Sequence, residues 1–386
     1  MPTGYQERPL VPLGVGDLAV MRPDELSGLL AAIQRRGYTL LGPTVRDAAI
    51  VYGEIAGADD LPIGWTDEQS PGSYRLTKRS VGTFFGYAVG PHSWKATFHR
   101  PELTLWQAER QENGGFTIHE PVPQTARVAL IGVRACELAA IRIQDRVLLE
   151  GPFADPHYAA RRRDVFVVAV NCTEPGATCF CASLGTGPSV GSGFDLALTE
   201  VVTDTEHFFV AEIGSSQGAE VLGEWPVDRA SRSQIAEATA RTQAAADRMG
   251  RSVDARDVKE VLARNLENPR WQETADRCLG CTNCTQVCPT CFCTAVHDLT
   301  DLSGRTATRV RQWDSCFTRS FSYVHGGSVR RSGMSRYRQW LTHKLSYWAD
   351  EFGSLGCVGC GRCITWCPKG IDLTEEIAAI RALDQR

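Results

Sequence analysis

Two runs of cysteines near the C-terminal end of the chain have a spacing that suits iron–sulfur chemistry. Each run reads Cys-x2-Cys-x2-Cys-x3-Cys-Pro; the candidate ligands are Cys278, Cys281, Cys284 and Cys288 in the first run and Cys357, Cys360, Cys363 and Cys367 in the second. Three thiolates at this spacing can surround one face of a cubane, so the pattern is typical of [4Fe-4S] clusters. Structural zinc is the alternative, but a zinc ion has no use for the third cysteine and the Cys-Pro step.

The way two-cluster ferredoxins bind their clusters predicts how the two runs cooperate. In those proteins the fourth cysteine of each run ligates the other cluster. We therefore predict one cluster on Cys278, Cys281, Cys284 and Cys367, and a second on Cys357, Cys360, Cys363 and Cys288. Three glycines in the runs, Gly280, Gly359 and Gly361, leave room for the backbone to approach the cluster sulfides.

Another group of cysteines lies in the N-terminal half of the chain. Two of them follow the apolar runs Arg127–Val133 and Asp164–Val170, which read as buried parallel strands. Ligands bind at the carboxyl edge of such a sheet, and the loop after the second strand can bring two further cysteines there. We predict that a third [4Fe-4S] cluster is bound by Cys136, Cys172, Cys179 and Cys181. The alternatives for these four cysteines are a structural zinc ion and packing without a metal.

Three cysteines remain without an assignment. Cys291 and Cys293 belong to a Cys-Pro-Thr-Cys-Phe-Cys segment, and Cys316 belongs to Trp-Asp-Ser-Cys. Alone they cannot complete a four-thiolate site. They could pack around the clusters, or one of them could replace Cys288 as a ligand.

The composition favours metal or redox chemistry over disulfides. The chain has 386 residues, is 43% hydrophobic and contains 15 cysteines, an odd number that does not suit a simple disulfide framework. The net charge of −4 gives no general attraction to nucleic acid. The N-terminal residues do not read as a secretory signal, and the apolar runs are too short to span a membrane. We expect a cytoplasmic protein whose thiols are kept reduced.

The elements that must position these cysteines give the fold class. The two apolar runs flank a helical pattern over Glu137–Leu149, so they predict a βαβ unit. Segments 195–203 and 206–213 read as a hairpin, Gly82–Val89 reads as a short strand, and Ser335–Phe352 reads as a helix between the two cysteine runs. We predict an α+β protein with a mixed α/β domain at residues 1–225, a helical linker at 226–270 and a mainly helical two-cluster ferredoxin domain at 271–386.

The sequence contains no recognisable substrate chemistry. No Gly-x-Gly-x-x-Gly follows a strand, there is no Walker lysine motif, and no flavin signal stands out. We therefore predict no catalytic residues, and a protein that transfers electrons without being the catalytic subunit. The alternative from another class is a self-contained flavin-binding oxidoreductase.

Five motifs in one order carry a resemblance to a known family. They are Gly132-Val-Arg-Ala-Cys136-Glu, Cys172 with Cys179-Phe-Cys181, Cys288-Pro-Thr-Cys-Phe-Cys293, Trp313-Asp-Ser-Cys316 and Cys357-Val-Gly-Cys-Gly-Arg-Cys363. Over residues 126–372 the chain resembles the iron–sulfur beta subunits of soluble NAD(P)-linked nickel–iron hydrogenases, the sulfhydrogenases. It also resembles the electron-transfer subunit of anaerobic sulfite reductase, a member of the same family.

The resemblance implies an electron-relay subunit in a hetero-oligomer. One implied partner is a flavoprotein subunit that holds FAD and a [2Fe-2S] centre and exchanges hydride with NAD(P)H. The other is a nickel–iron hydrogenase with small and large subunits, or a sirohaem subunit in the sulfite reductase alternative. No membrane or nucleic acid is implied.

Overall fold

The computed structural model describes residues 13–125, 127–225 and 227–384. Within them the strands are β1 (Leu18–Met21), β2 (Thr39–Arg46), β3 (Ala49–Glu54), β4 (Trp65–Ser70), β5 (Ser73–Lys78), β6 (Glu102–Arg110), β7 (Phe116–His119), β8 (Val128–Arg134), β9 (Val165–Val170), β10 (Leu196–Val202), β11 (His207–Ile213), β12 (Asp228–Arg229), β13 (Thr294–Thr300), β14 (Thr306–Trp313), β15 (Tyr323–Val324) and β16 (Gly327–Ser328).

The helices of the same residues fall mostly on the two faces of the main sheet and in the C-terminal third. They are α1 (Glu25–Arg35), α2 (Lys95–Phe98), α3 (Ala135–Leu148), α4 (Pro156–Arg162), α5 (Ser216–Leu222), α6 (Arg232–Asp247), α7 (Val258–Arg264), α8 (Arg270–Arg277), α9 (Asn283–Gln286), α10 (Gly333–Thr342), α11 (Trp348–Phe352), α12 (Arg362–Thr365) and α13 (Leu373–Asp384). A π-helical segment, His343–Tyr347, joins α10 to α11. No helix in the described part of the chain is long and apolar enough to span a membrane.

A mixed eight-stranded sheet organises the N-terminal half, in the order β12-β1-β11-β10-β9-β8-β2-β3. Strands β2, β8, β9 and β10 are parallel to one another, and β10 and β11 form an antiparallel hairpin. These pairings confirm the predicted βαβ unit and the predicted hairpin. Every residue of β8 is buried, because helices cover both faces of the sheet.

Alternate residues of the central strands pack against different helices. Ala129 and Ile131 of β8 face the cluster that contains α1, whereas Val128 and Leu130 face the cluster that contains α3 and α4. This period of two fixes the register of the strands, because a slip by one residue would exchange the two faces. The sheet edge that carries Cys136 and Cys172 is therefore held by a core on each side.

A second sheet joins distant parts of the chain, in the order β13-β14-β6-β7. Strands β6 and β7 come from the N-terminal half, and β13 and β14 lie between the two cysteine runs. The sequence pattern did not indicate this hairpin, because most of its residues are only partly buried and show no clean alternation. The helix predicted over 335–352 is present as α10, the π-helical segment and α11, so the fold is α+β as predicted.

The prediction of a strand over Gly82–Val89 was wrong. The segment is irregular and is buried from Phe84 onward, and the backbone N–H groups of Phe84 and Phe85 donate to the carboxylate of Glu200 at 2.7 and 2.8 Å. A buried N–H needs a partner, and here a side chain supplies what a strand ladder would have supplied. An apolar sequence alone does not distinguish the two solutions.

Candidate iron–sulfur centres

The two cysteine runs adopt the same backbone conformation. The third residue of each run is a glycine with positive φ, Gly280 at +62° and Gly359 at +64°, and the fifth residues, Thr282 and Gly361, have φ of +71° and +75°. Each run then enters a one-turn helix, α9 or α12. Two successive turns of this kind wrap the chain around a compact object and direct backbone N–H groups inward.

In each run a backbone amide already points to a thiol. The N–H of Gly280 donates to Cys278 Sγ at 3.4 Å, and the N–H of Gly359 donates to Cys357 Sγ at 3.5 Å. Such bonds stabilise a thiolate and raise the potential of a cluster bound to it. The repeated geometry supports the same role for both runs.

The first group of thiols lines one pocket at the end of the helix α8. Five cysteines line this pocket, and two of them come from the other run: Cys278, Cys281, Cys284, Cys363 and Cys367. Burial raises the pKa of the Cys284 thiol well above its usual range, and neighbouring thiols raise it further. Bound iron would supply the positive charge that the thiolates need.

Two orphaned donors test whether this pocket fits a cluster. Tyr337 Oη and Trp340 Nε1 line it, are buried and have no hydrogen-bond partner among the described residues. A buried donor without an acceptor costs about 1–3 kcal/mol. The sulfides of an iron–sulfur cluster are acceptors at that place, so the residues present fit the group.

The second group of thiols combines Cys357, Cys360 and Cys363 with Cys288. Burial raises the pKa of Cys363 well above its usual range, and the neighbouring thiols of Cys357, Cys360 and Cys288 raise it further. Cys284 of the first group is also among the neighbours of Cys363, so the two groups adjoin. Lys344, which is 3% exposed, donates through Nζ to Cys288 Sγ at 3.1 Å.

The third group lies at the carboxyl ends of β8 and β9. Cys136 is in the first turn of α3, and Cys172 follows β9 by two residues. The loop that continues from Cys172 brings Cys179 and Cys181 beside them. Burial raises the pKa of Cys179 to about 12, and the nearby Cys172 thiol is the next largest cause. Burial also raises the pKa of Cys136, and the next largest cause there is the Cys181 thiol.

The third group is joined directly to the second by backbone contacts. The N–H of Phe180 donates to the carbonyl of Gly359 at 2.8 Å, and the hydroxyl of Thr186 donates to the carbonyl of Val358 at 2.8 Å. The Cys360 thiol is among the neighbours that raise the pKa of Cys136, Cys179 and Cys181, after burial. The three groups therefore form one continuous series.

Buried cations accompany these thiols, and sequence reasoning missed them. Arg134 is 2% exposed and lies 3.7 Å from Cys172 Sγ through NH1. Arg362 is 1% exposed and forms a 2.6 Å ion pair with the buried Glu137. Their positions next to cysteines, in Arg-Ala-Cys136-Glu and Arg-Cys363, were the available signal. Their positive charge would offset the negative charge of clusters bound at these cysteines.

The thiols do not converge as they would around one ion. Within the described ranges, no group of three or more His, Cys, Asp or Glu side chains is placed to hold a single metal ion. Cys291 lies beside Cys288 of the second group, whereas Cys316 lies near Cys293 and near Cys284 of the first group.

Gly359 provides a test of the junction between the second and third groups. A Cβ there would lie 2.6 Å from the backbone N of Cys181, whereas a Cβ at Gly280 would meet no atom within 4 Å. Alanine at either site carries the cost of the left-handed conformation, about 1–2 kcal/mol. Overpacking adds about 1–3 kcal/mol, so Gly359→Ala is expected to lower the free energy of unfolding by about that much more than Gly280→Ala.

Thermal unfolding of the two variants, followed by circular dichroism and by the visible absorbance of the clusters, measures this difference. Gly280→Ala is the matched control, because the two glycines have nearly the same φ, +62° and +64°. Equal losses in the two variants would mean that the second run is not packed against the Phe180–Cys181 backbone.

Comparisons with known proteins agree with this arrangement. Residues 277–371 match the family described as the 4Fe-4S dicluster domain. The chain is 32% identical over 290 residues to "Sulfhydrogenase 2 subunit beta" of Pyrococcus furiosus, an alignment that covers 74% of this chain and 82% of the relative. No solved structure matches the chain.

These findings confirm the expectation of [4Fe-4S] clusters in the C-terminal part and of an electron-transfer function. The dicluster match spans both cysteine runs, and the identity extends the likeness far beyond them. The chain belongs to the family of hydrogenase beta-type iron–sulfur subunits.

Proposed function

We propose that this chain passes electrons through three [4Fe-4S] clusters between the catalytic subunits of a nickel–iron hydrogenase and an NAD(P)H-linked flavoprotein subunit. Its three proposed ligand sets are Cys278, Cys281, Cys284 and Cys367; Cys357, Cys360, Cys363 and Cys288; and Cys136, Cys172, Cys179 and Cys181. The observation that carries the proposal is the unbroken series of thiol groups: Cys284 and Cys363 line one pocket, and Cys179 Sγ lies 3.8 Å from the carbonyl oxygen of Cys360.

When bound, each cluster supplies a one-electron carrier. The chain's own residues hold and tune it. Gly280 and Gly359 donate backbone N–H groups to ligand sulfurs. Lys344 and Arg134 place buried positive charge beside Cys288 and Cys172, which favours the more negative, reduced state of a cluster.

Both ends of the series approach the protein surface, which suits a relay between two partners. At one end, Cys281 is exposed, and the neighbouring Leu279 is 64% exposed. At the other end, Cys172 is partly exposed. The second group lies between them, with Cys360 buried.

The partners are proposed from the relative's name, since a sulfhydrogenase beta subunit is one subunit of a larger hydrogenase. The chain would therefore work in a cytoplasmic hetero-oligomer with the flavoprotein subunit, which holds FAD and a [2Fe-2S] centre, and with the small and large nickel–iron subunits. The same name favours hydrogenase over the sulfite reductase alternative.

Anaerobic purification tests the proposal, with iron measured in the full chain alone and spectroscopy carried out on the chain with its partners. We expect at least about twelve iron atoms per chain, a number that three [4Fe-4S] clusters require. The electron paramagnetic resonance signals of these clusters should appear on reduction with NAD(P)H and with hydrogen. Iron near eight per chain would exclude the third cluster, and clusters that respond to only one of the two reductants would exclude the relay. Flavin released from the isolated chain would instead support a flavin enzyme.

A further inference from the structure

We propose that Cys291, Cys293 and Cys316 bind a fourth iron–sulfur cluster, held by three thiolates and flanked by the buried ammonium groups of Lys95 and Lys344. One iron of this cluster would have no cysteine ligand and would be open to a non-thiolate ligand. The inference adds a branch to the proposed relay, and it rests on that proposal only for the assignment of Cys288 to the second cluster.

The β13–β14 hairpin brings two of the three thiols together. Cys293 directly precedes β13, and Cys316 follows the end of β14 by three residues. Thr294 pairs with Trp313 in the antiparallel ladder, and the N–H of Asp314 donates to the carbonyl of Cys293 at 2.9 Å. The open end of the hairpin thus holds the Cys-x-Cys segment and the Trp-Asp-Ser-Cys segment side by side.

The third thiol connects this group to the second cluster. Cys291 follows Cys288 by three residues, and Lys344, which donates to Cys288 Sγ at 3.1 Å, faces both thiols. Lys344 Nζ also donates to Thr290 Oγ1 at 2.9 Å and to the carbonyl of Gly356 at 3.0 Å. These bonds gather the Cys288–Cys291 turn and the residue before the second run around one ammonium group.

Lys95 reaches the same place from a distant part of the chain. It is 5% exposed, its Nζ lies 3.8 Å from the centroid of the Trp313 ring, and its hydrogen bond to the carbonyl of Gln286 measures 3.4 Å. The thiols that it faces are those of Cys291, Cys288 and Cys293. The chain contains only five lysines, and two of them are buried at this point.

Two buried ammonium groups that face thiols require negative charge nearby. Burying an unpaired ammonium costs several kcal/mol, and neutral thiols are poor partners for it. The third group of thiols shows the expected arrangement, with buried Arg134 beside Cys172. Lys344 can serve the second cluster through Cys288, but two of the three thiols near Lys95, those of Cys291 and Cys293, belong to no assigned cluster. A cluster carried by thiolates supplies the missing charge.

A cluster fits this set better than one metal ion. Within the described ranges, no three side chains of the metal-binding types converge on one ion position, and this includes these three thiols. Cys293 and Cys316 are partly exposed, so this centre would lie nearer to the surface than the second cluster. A branch of the relay would then reach the face of the molecule that carries the second sheet.

Iron and acid-labile sulfide, measured in the full chain separated from its partner subunits under anaerobic conditions, test the proposal. We expect about sixteen iron atoms per chain in the native protein and about twelve in Cys316→Ala. Cys172→Ala is the comparison variant, because it should lose a similar amount of iron from the third cluster and leave the fourth cluster intact. An unchanged iron content in Cys316→Ala would overturn the fourth cluster. So would the finding that the native chain holds one zinc ion that is absent from Cys316→Ala.

A second variant keeps the ligands and removes only a charge. Lys95→Met is expected to retain all the iron and to shift the midpoint potential of one cluster to a more negative value, by loss of the flanking charge. Lys78→Met is the matched control, because Lys78 Nζ also lies over a tryptophan ring, that of Trp65, at 4.8 Å, but is exposed and remote from the thiols. The shifted signal must be the one that Cys316→Ala abolishes; a shift in another cluster, or none, would overturn the role of Lys95.

The outcomes separate this inference from the proposed relay. If the relay is wrong but the fourth cluster exists, Cys316→Ala still loses about four iron atoms. If only the fourth cluster is wrong, the native protein contains about twelve iron atoms and transfers electrons normally.

Discussion

Replacement of Cys284 by alanine is expected to remove about four iron atoms per chain and to abolish electron flow between NAD(P)H and hydrogen. Cys284 is a partly buried cysteine of the first run: its neighbours include Cys316, Cys278 and Cys367, and it lines the same pocket as Cys363 of the second group. Alanine leaves one corner of the first cluster without a ligand. Since this contact joins the first group to the second, the series would end there.

Two assays and one control variant make this result specific. Hydrogen oxidation with an artificial dye, which takes electrons from the hydrogenase subunit itself, should be unchanged, whereas hydrogen-dependent NAD(P) reduction should be lost. Thr282→Gly is the control in the same loop, because it keeps every ligand and gives the first run the glycine that the second run has at Gly361. If both activities persist in Cys284→Ala, or if the iron content does not fall, the first group is not part of the path.

The sequence predicted the chemistry of the site better than its surroundings. The spacing of the two runs repeats a local loop, and local patterns can be read without knowing the fold. The apolar runs before Cys136 and Cys172 are likewise local, so β8, β9 and the βαβ unit were predictable. By analogy with ferredoxins, we expected Cys367 to join the first thiol group and Cys288 to join the second. In the structure, Cys367 lines the pocket of the first group, and Cys288 is among the neighbours of Cys363.

Contacts between distant segments could not be predicted in this way. The pairing of β14 with β6 joins residues about 200 positions apart, such as Thr306 with Glu109, and depends on the packing of the whole molecule. The buried cations belong to the same class. Lys95, Lys344 and Arg362 look like surface residues in the sequence, and only the fold shows that each is buried near thiols. The fourth centre proposed here was missed for this reason.

Loss of the buried ion pair between Arg362 and Glu137 is expected to have a large effect on the stability of the protein. Arg362 directly precedes Cys363, and Glu137 directly follows Cys136, so the pair ties the second thiol group to the third. Both side chains are at most 1% exposed and their closest atoms are 2.6 Å apart. Tyr52 Oη also donates to Glu137 at 2.6 Å, and Arg362 Nε donates to the carbonyl of Gly90 at 2.9 Å.

Glu137→Gln is therefore expected to lower the free energy of unfolding by about 3–5 kcal/mol, because it keeps the shape but leaves a buried guanidinium without its counter-charge. Thermal unfolding of the loaded protein measures the loss. The uncompensated charge should also shift the midpoint potential of the second cluster to a more positive value, which a purely structural role for Glu137 would not do. Redox titration of the electron paramagnetic resonance signals measures that shift.

A surface ion pair with similar geometry supplies the control. Arg309 and Asp298 lie 2.7 Å apart with side chains 42% and 56% exposed, so Asp298→Asn should cost less than about 1 kcal/mol and leave every potential unchanged. If Glu137→Gln were as mild as this control, Arg362 would have to find its counter-charge elsewhere, and the nearest source would be a cluster bound at Cys360. The potential separates the two cases. A strong loss of stability with a positive shift assigns the balancing charge to Glu137, whereas a mild loss without a shift assigns it to the cluster itself.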